Sequence, residues 1–85
     1  MKTLTVFRKE PCIKCDMTIK TAEKLGYNVE VLEIFDENGD MLPEPKTLYD
    51  ANNFMSAPIV VLSEDDGATV DVWSDFRIDK LNKYK

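Results

Sequence analysis

The stretch Arg8-Lys9-Glu10-Pro11-Cys12-Ile13-Lys14-Cys15 holds both cysteines of the chain, with two residues between them. Two thiols at that spacing can contribute to a metal site, pack as small apolar groups, or cycle between dithiol and disulfide. A structural zinc site usually needs four ligands, from two such pairs or from a pair with histidines. The chain has one pair and no histidine, so a zinc ion or iron–sulfur cluster would require two chains to share a site. The lack of histidine also excludes Cys-His and Ser-His-Asp catalysis.

The surrounding elements favour the working dithiol. Residues Thr3–Phe7 place Leu4 and Val6 against Thr3, Thr5 and Phe7, the alternation of a strand. A helix is expected from about Ile13 to Leu25, with Cys15, Ile19, Ala22 and Leu25 as its buried stripe and Gly26 just past its end. Residues Asn28–Ile34 are rich in β-branched types and read as a second strand. The cysteines therefore fall between a strand and the start of a helix, a βαβ context in which C-x-x-C reads as a redox centre. The first helical turn leaves backbone N–H groups unpaired and partly positive. A thiolate at Cys12 is stabilised there and its pKa falls. Arg8, Lys9 and Lys14 add positive charge nearby. Cys15, one turn deeper, is expected to be more buried. These differences make Cys12 the attacking thiol and Cys15 the thiol that resolves the mixed disulfide. Pro11 reads either as the end of a loop or as a device fixing the chain ahead of Cys12.

The rest of the chain completes a small sheet. After a polar loop with a turn at Asn38-Gly39, Pro45 suits the first turn of a helix running to about Asn53, with Leu48, Ala51 and Phe54 inward. Residues Pro58–Leu62 form a continuous apolar run, as in a central strand. Asp66-Gly67 signals a hairpin into an edge strand, Thr69–Trp73. A last helix is expected from Ser74 or Asp75, both capping types, to the C-terminus, with Leu81 and Tyr84 inward. The order is βαβαββα: an α/β fold with a mixed four-stranded sheet and three helices, over a single domain, residues 1–85. Ala57-Pro58 is unusual ahead of a central strand, because proline cannot donate to the ladder. Alone it reads equally as a strand start or as a cis peptide. With C-x-x-C after the first strand, the order of elements favours cis.

Charge narrows the partners. The 85 residues carry a net −5. Residues 1–25 hold six Lys and Arg against three Asp and Glu, while residues 26–75 hold one Lys against twelve acids. A net acidic chain with no long basic run argues against nucleic acid. No apolar run approaches the roughly 20 residues that span a bilayer, and the N-terminal MKTLTVFRKE lacks the apolar core of a signal peptide. A cytoplasmic monomer, without membrane contact, is expected.

Cys12-Ile13-Lys14-Cys15 at a helix start, Ser56-Ala57-Pro58 before the third strand, and this element order resemble the glutaredoxin branch of the thioredoxin fold. Trp73, Ser74, Phe76, Arg77, Asp79 and Lys80 of VWSDFRIDKL, with Lys9 and Thr18 around the cysteines, narrow the likeness to the NrdH-redoxins. The resemblance covers almost the whole chain. It implies a protein disulfide reductant with no bound cofactor, fed with electrons from NADPH by thioredoxin reductase. It further implies a class Ib ribonucleotide reductase as the recipient, in support of deoxyribonucleotide synthesis and cell redox homeostasis. The family's cis proline faces the cysteines, and the backbone before it pairs with the partner. Partner-binding positions implied in this way, and by neighbourhood to the cysteines, are Lys9, Pro11, Ile13, Lys14, Ala57, Pro58, Trp73, Ser74, Asp75 and Phe76. Trp73 and Phe76 also read as core or rim aromatics, and both roles are expected of them.

The chain departs from that family at Asp75, where glycine is usual, at Ile78, where proline is usual, and at Ile13-Lys14, which lacks the usual glutamine. The loop from Phe35 to Glu44 is longer than in typical members. Lys14 is expected to favour the Cys12 thiolate, and Asp75 to add negative charge near the site. Two other readings stand beside this one. A glutathione-dependent glutaredoxin has the same fold, but the C-P-Y-C centre and the Gly-Gly-x-Asp turn that holds glutathione are absent. A metal or cluster adaptor would bridge two chains through the cysteines without catalysis.

Overall fold

Alternation and β-branching place β1 at Thr3–Arg8 and β2 at Asn28–Glu33. The apolar run gives β3 at Ile59–Ser63, and the alternating stretch after Gly67 gives β4 at Thr69–Ser74. The helices are α1 (Ile13–Lys24), α2 (Pro43–Asn52) and α3 (Ile78–Tyr84). These elements come from a computed structural model that describes residues 2–85. The sheet order is β2-β1-β3-β4. β1 and β2 run parallel, as a strand–helix–strand unit requires, and the other two pairings are antiparallel. The mixed four-stranded sheet and the βαβαββα order agree with the sequence reading.

Each face of the sheet carries its own apolar cluster. Leu4 and Val6 of β1 meet Val60, Leu62 and Trp73, and are covered by Ala22 of α1 and Leu81 of α3. Phe7 points to the opposite face, where it joins Ile34, Ala57, Ile59 and Cys15, with Leu48 and Tyr49 of α2 packed against them. Phe7, read as the outer side of the alternation, is thus buried under α2. β1 and β3 lie in the middle of the sheet and are covered on both faces, so both can be apolar on both sides. No helix among the described residues is long and apolar enough to cross a membrane.

Two helix starts and one buried face differ from expectation, for local reasons. Helix α2 begins two residues earlier, with Pro43 in its first turn and Pro45 buried a little further on. Either proline suits a first turn, whose N–H groups have no helical acceptor. The inner face of α2 is Pro45, Leu48 and Tyr49; Ala51 faces solvent. Helix α3 begins at Ile78 and not at Ser74 or Asp75. Ser74 still pairs with Ile59 in the sheet, and the Asp75 N–H continues the pairing to the Pro58 carbonyl at 2.9 Å. Asp75 then turns the chain through a left-handed conformation, φ 73°, which aspartate adopts more readily than most residues other than glycine.

Two groups fasten the elements on the α3 side. Asp71 Oδ2 accepts from Lys80 Nζ and from Tyr84 Oη, both at 2.8 Å. The Tyr84 ring also stacks on Trp73. On the other side of the sheet, the loop between β2 and α2 folds on itself. Asp36 Oδ1 accepts the N–H groups of Asn38 and Asp40, and Phe35 bridges to Met41.

Candidate active site

Cys12 is the N-cap of α1. Its extended backbone turns the side chain back over the first turn, and its Sγ accepts the Cys15 N–H at 3.1 Å. This is one of the helix-start donors that otherwise lack an acceptor. Cys12 is partly exposed and Cys15 is fully buried. The two sulfurs form a disulfide, with Cα atoms 5.3 Å apart. The centre can therefore exist as a dithiol or a disulfide, with one sulfur within a partner's reach and the other behind it. Thr18, one turn further on, is buried and donates its Oγ1 hydrogen to the Lys14 carbonyl at 2.8 Å.

The Glu10–Pro11 and Ala57–Pro58 peptide bonds are both cis. The expectation had concerned Ala57-Pro58. Ala57 and Pro58 lead into β3 beside the cysteines. Together with Lys9, Pro11, Cys12, Ile13, Lys14, Met55 and Ser56, Ala57 lines an open cleft of about 490 Å³. The cleft brings together most residues singled out near the cysteines. Trp73 and Phe76 are not among them. Trp73 is buried between β3 and α3, and Phe76 packs against the same cluster. Ser74 touches the cleft's wall indirectly, its Oγ lying 3.3 Å from Ser56 Oγ.

Met55 and Ser56 belong to the cleft but were not read as site residues. Met55 is 97% exposed and Ile13 is 78% exposed, so two exposed apolar side chains share the cleft with Cys12. For Met55 and Ser56, the available signal is their place just ahead of Ala57-Pro58, whose proline is expected to face the cysteines. Tyr49 was missed as well. Its hydroxyl donates to the Ser56 carbonyl at 3.0 Å and so holds the cleft's backbone from α2. Burial raises the Tyr49 pKa, which keeps the hydroxyl protonated as a donor.

The charges near Cys12 are arranged differently from what the sequence implied. Arg8 is drawn into pairs with Glu10, Asp16 and Glu33, and the Glu10 hydrogen bond raises its pKa. Lys14 Nζ pairs with the Asp75 carboxylate, 3.1 Å from Oδ1 and 3.2 Å from Oδ2. The Phe76 N–H and then Lys14 lower the Asp75 pKa. Lys9 alone of the three cations has no carboxylate partner among the described residues. Lys14 is therefore not a lone cation in the cleft: its ammonium is paired with Asp75.

Known structures supply a frame for this geometry. The glutaredoxin-like protein NrdH-redoxin from Escherichia coli superposes over 98% of this chain and 95% of its own, with a TM-score of 0.72 at 24% identity. This is the thioredoxin fold. Thioredoxin-2 of the malaria parasite superposes over 100% of this chain and 84% of its own, with a TM-score of 0.55 at 17% identity. Plasmodium falciparum thioredoxin superposes over 99% and 82%, with a TM-score of 0.54 at 14% identity. No family model and no curated protein matches the chain by sequence. The resemblance to NrdH-redoxin read in the sequence is thus matched by the course of the backbone, with Cys12 and Cys15 bonded where α1 begins.

Proposed function

We propose that this protein is a dithiol-disulfide oxidoreductase that reduces disulfides of partner proteins. One observation carries the reading: a partly exposed Cys12, its sulfur capped by the Cys15 N–H at a helix start and bonded to a buried Cys15. In the reduced protein, the Cys12 thiolate attacks one sulfur of a partner disulfide. A Cys12–partner bond forms as the partner's S–S bond breaks, and the displaced sulfur leaves as a thiolate. Cys15, deprotonated, then attacks the Cys12 sulfur. The Cys12–Cys15 bond forms, the mixed disulfide breaks, and the second partner sulfur leaves as a thiolate. Two electrons pass to the partner, and its thiolates take up protons according to their pKa values.

The cleft supports a protein partner. Ile13 and Met55 offer exposed apolar contact in the cleft that Cys12 lines, and Ser56 and Ala57 of the same cleft offer backbone to an extended segment. The likeness to NrdH-redoxin suggests the finer reading. In it, thioredoxin reductase supplies electrons from NADPH, and a class Ib ribonucleotide reductase is the recipient, in the cytoplasm. No bound cofactor is needed, since the disulfide is itself the carrier.

The test is a pair of coupled NADPH assays on a protein disulfide, one with thioredoxin reductase and one with glutathione and glutathione reductase. Turnover with the first and little with the second is expected. The reverse result moves the protein to the glutathione-dependent glutaredoxins. Stoichiometric zinc or iron in freshly isolated protein, with no turnover in either assay, would sink the redox reading itself.

A further inference from the structure

Asp75 connects three parts of the site. Its N–H donates to the Pro58 carbonyl beside the cleft. Its Oδ1 accepts the Phe76 N–H at 2.7 Å, which fixes the carboxylate in the turn. The same carboxylate holds the Lys14 ammonium, 61 residues away in sequence. Lys14 stands two residues after Cys12 and lines the same cleft. The ammonium has three rotatable donors on a flexible stem, and the fixed carboxylate decides where it rests.

We infer that Asp75 is a positioning residue for the dithiol: by holding Lys14 against the turn after β4, it sets how much positive charge reaches Cys12. This rests on the reading of Cys12 as the attacking sulfur. The other charged or titratable groups around Cys12 are few. Arg8 is shared among Glu10, Asp16 and Glu33. Lys9 lines the cleft without a carboxylate partner, and Tyr49 stands behind Ser56 as a hydroxyl donor. From the β3 side, Met55, Ser56 and Ala57 bring no side-chain charge. The Lys14–Asp75 pair is therefore the adjustable element: closed, it presents a dipole to Cys12, and open, a free cation. An acidic residue on a docking partner would compete with Asp75 for Lys14, and a basic one would compete with Lys14 for Asp75. The pair thus also reads the charge that a partner brings to the cleft.

The test is the pH profile of Cys12 alkylation in the reduced full-length chain, carried out in a Cys15→Ser background so that one thiol reports. Asp75→Gly removes the carboxylate and suits the left-handed turn; Asp75→Asn keeps the side chain's shape. Both should lower the Cys12 midpoint by about half a unit, the size that one exposed charge exerts across a solvent-filled cleft. Lys14→Gln should raise it by a similar amount, and the Lys14→Gln, Asp75→Asn double variant should return it close to the starting value. High salt should shrink all of these shifts. A loosened turn would not produce opposite shifts from the two partners. Single variants that leave the midpoint unmoved, or move it the same way, overturn the inference and leave the oxidoreductase reading intact. In the chain with both thiols, preferential alkylation of Cys15 over Cys12 would overturn the reading beneath it.

Discussion

Asp71 and Asp75 are four residues apart, and each pairs with a lysine, one from within β4 and the other from just past it. Asp71 lies within β4, with its side chain 21% exposed and that of Lys80 25% exposed. It accepts from both Lys80 and Tyr84 and so ties α3 to the sheet. Asp75 lies just past β4, with its side chain 38% exposed and that of Lys14 59% exposed. Its backbone N–H and one carboxylate oxygen shape the turn, and the carboxylate holds a surface ammonium that lines the cleft with Cys12. The same chemistry therefore divides by burial. A sheltered carboxylate with two donors contributes to stability, because breaking it leaves polar groups without partners. An exposed pair contributes little to stability and can be spent on the electrostatics of a site.

Substitutions can separate the two roles. Leu81→Ala, beneath the Asp71 clamp and fully buried, should be the most damaging, at about 2–5 kcal/mol. The loss would appear in chemical denaturation of the oxidised protein. Asp71→Ala removes the acceptor of two hydrogen bonds and should cost about 1–3 kcal/mol, with the pH profile of Cys12 alkylation unchanged. A shift in that profile would show the two regions to be coupled.

The clamp also has a pH signature. The Lys80 hydrogen bond is the main cause of the lowered Asp71 pKa. A depressed carboxylate pKa stabilises the fold above its ordinary value of 3.8, and that contribution is lost as pH falls through the folded-state value. The stability difference between wild type and Asp71→Asn should therefore be full near neutrality and shrink as the pH drops below about 4. A difference that stays constant into acid would contradict the clamp. At the other end of the scale, Asp75→Gly should change stability by no more than about 1 kcal/mol. A larger loss would make Asp75 structural after all.

The strands, their order and the two cysteines could be read from sequence because each has a short-range signature. Alternation marks β1 and β4, the apolar run marks β3, and C-x-x-C after a strand marks the helix start. What escaped depends on contacts between distant residues. Ser74 and Asp75 look like helix caps, but β3 recruits them into the sheet, and α3 begins later. Ala51 has the right spacing to face inward, yet Pro45, Leu48 and Tyr49 occupy that face. Lys14 was read as a free cation because its partner lies 61 residues further on. Met55 has no periodic signal at all; its exposure beside Cys12 comes from the way the chain enters β3. Trp73 reads from sequence both as a motif residue near the site and as a core aromatic, and the fold shows the second, burying it in the cluster with Leu81 of α3.

The claim on which all of this depends is that Cys12 is the sulfur that meets the partner. It is tested most directly by mixing the reduced Cys15→Ser variant with a protein disulfide and mapping the trapped species by peptide mass. A stable mixed disulfide through Cys12 is expected, and Cys12→Ser should form none and show no turnover. Stable trapping through Cys15 in the Cys12→Ser variant, with no adduct at Cys12 in the Cys15→Ser variant, would contradict the account.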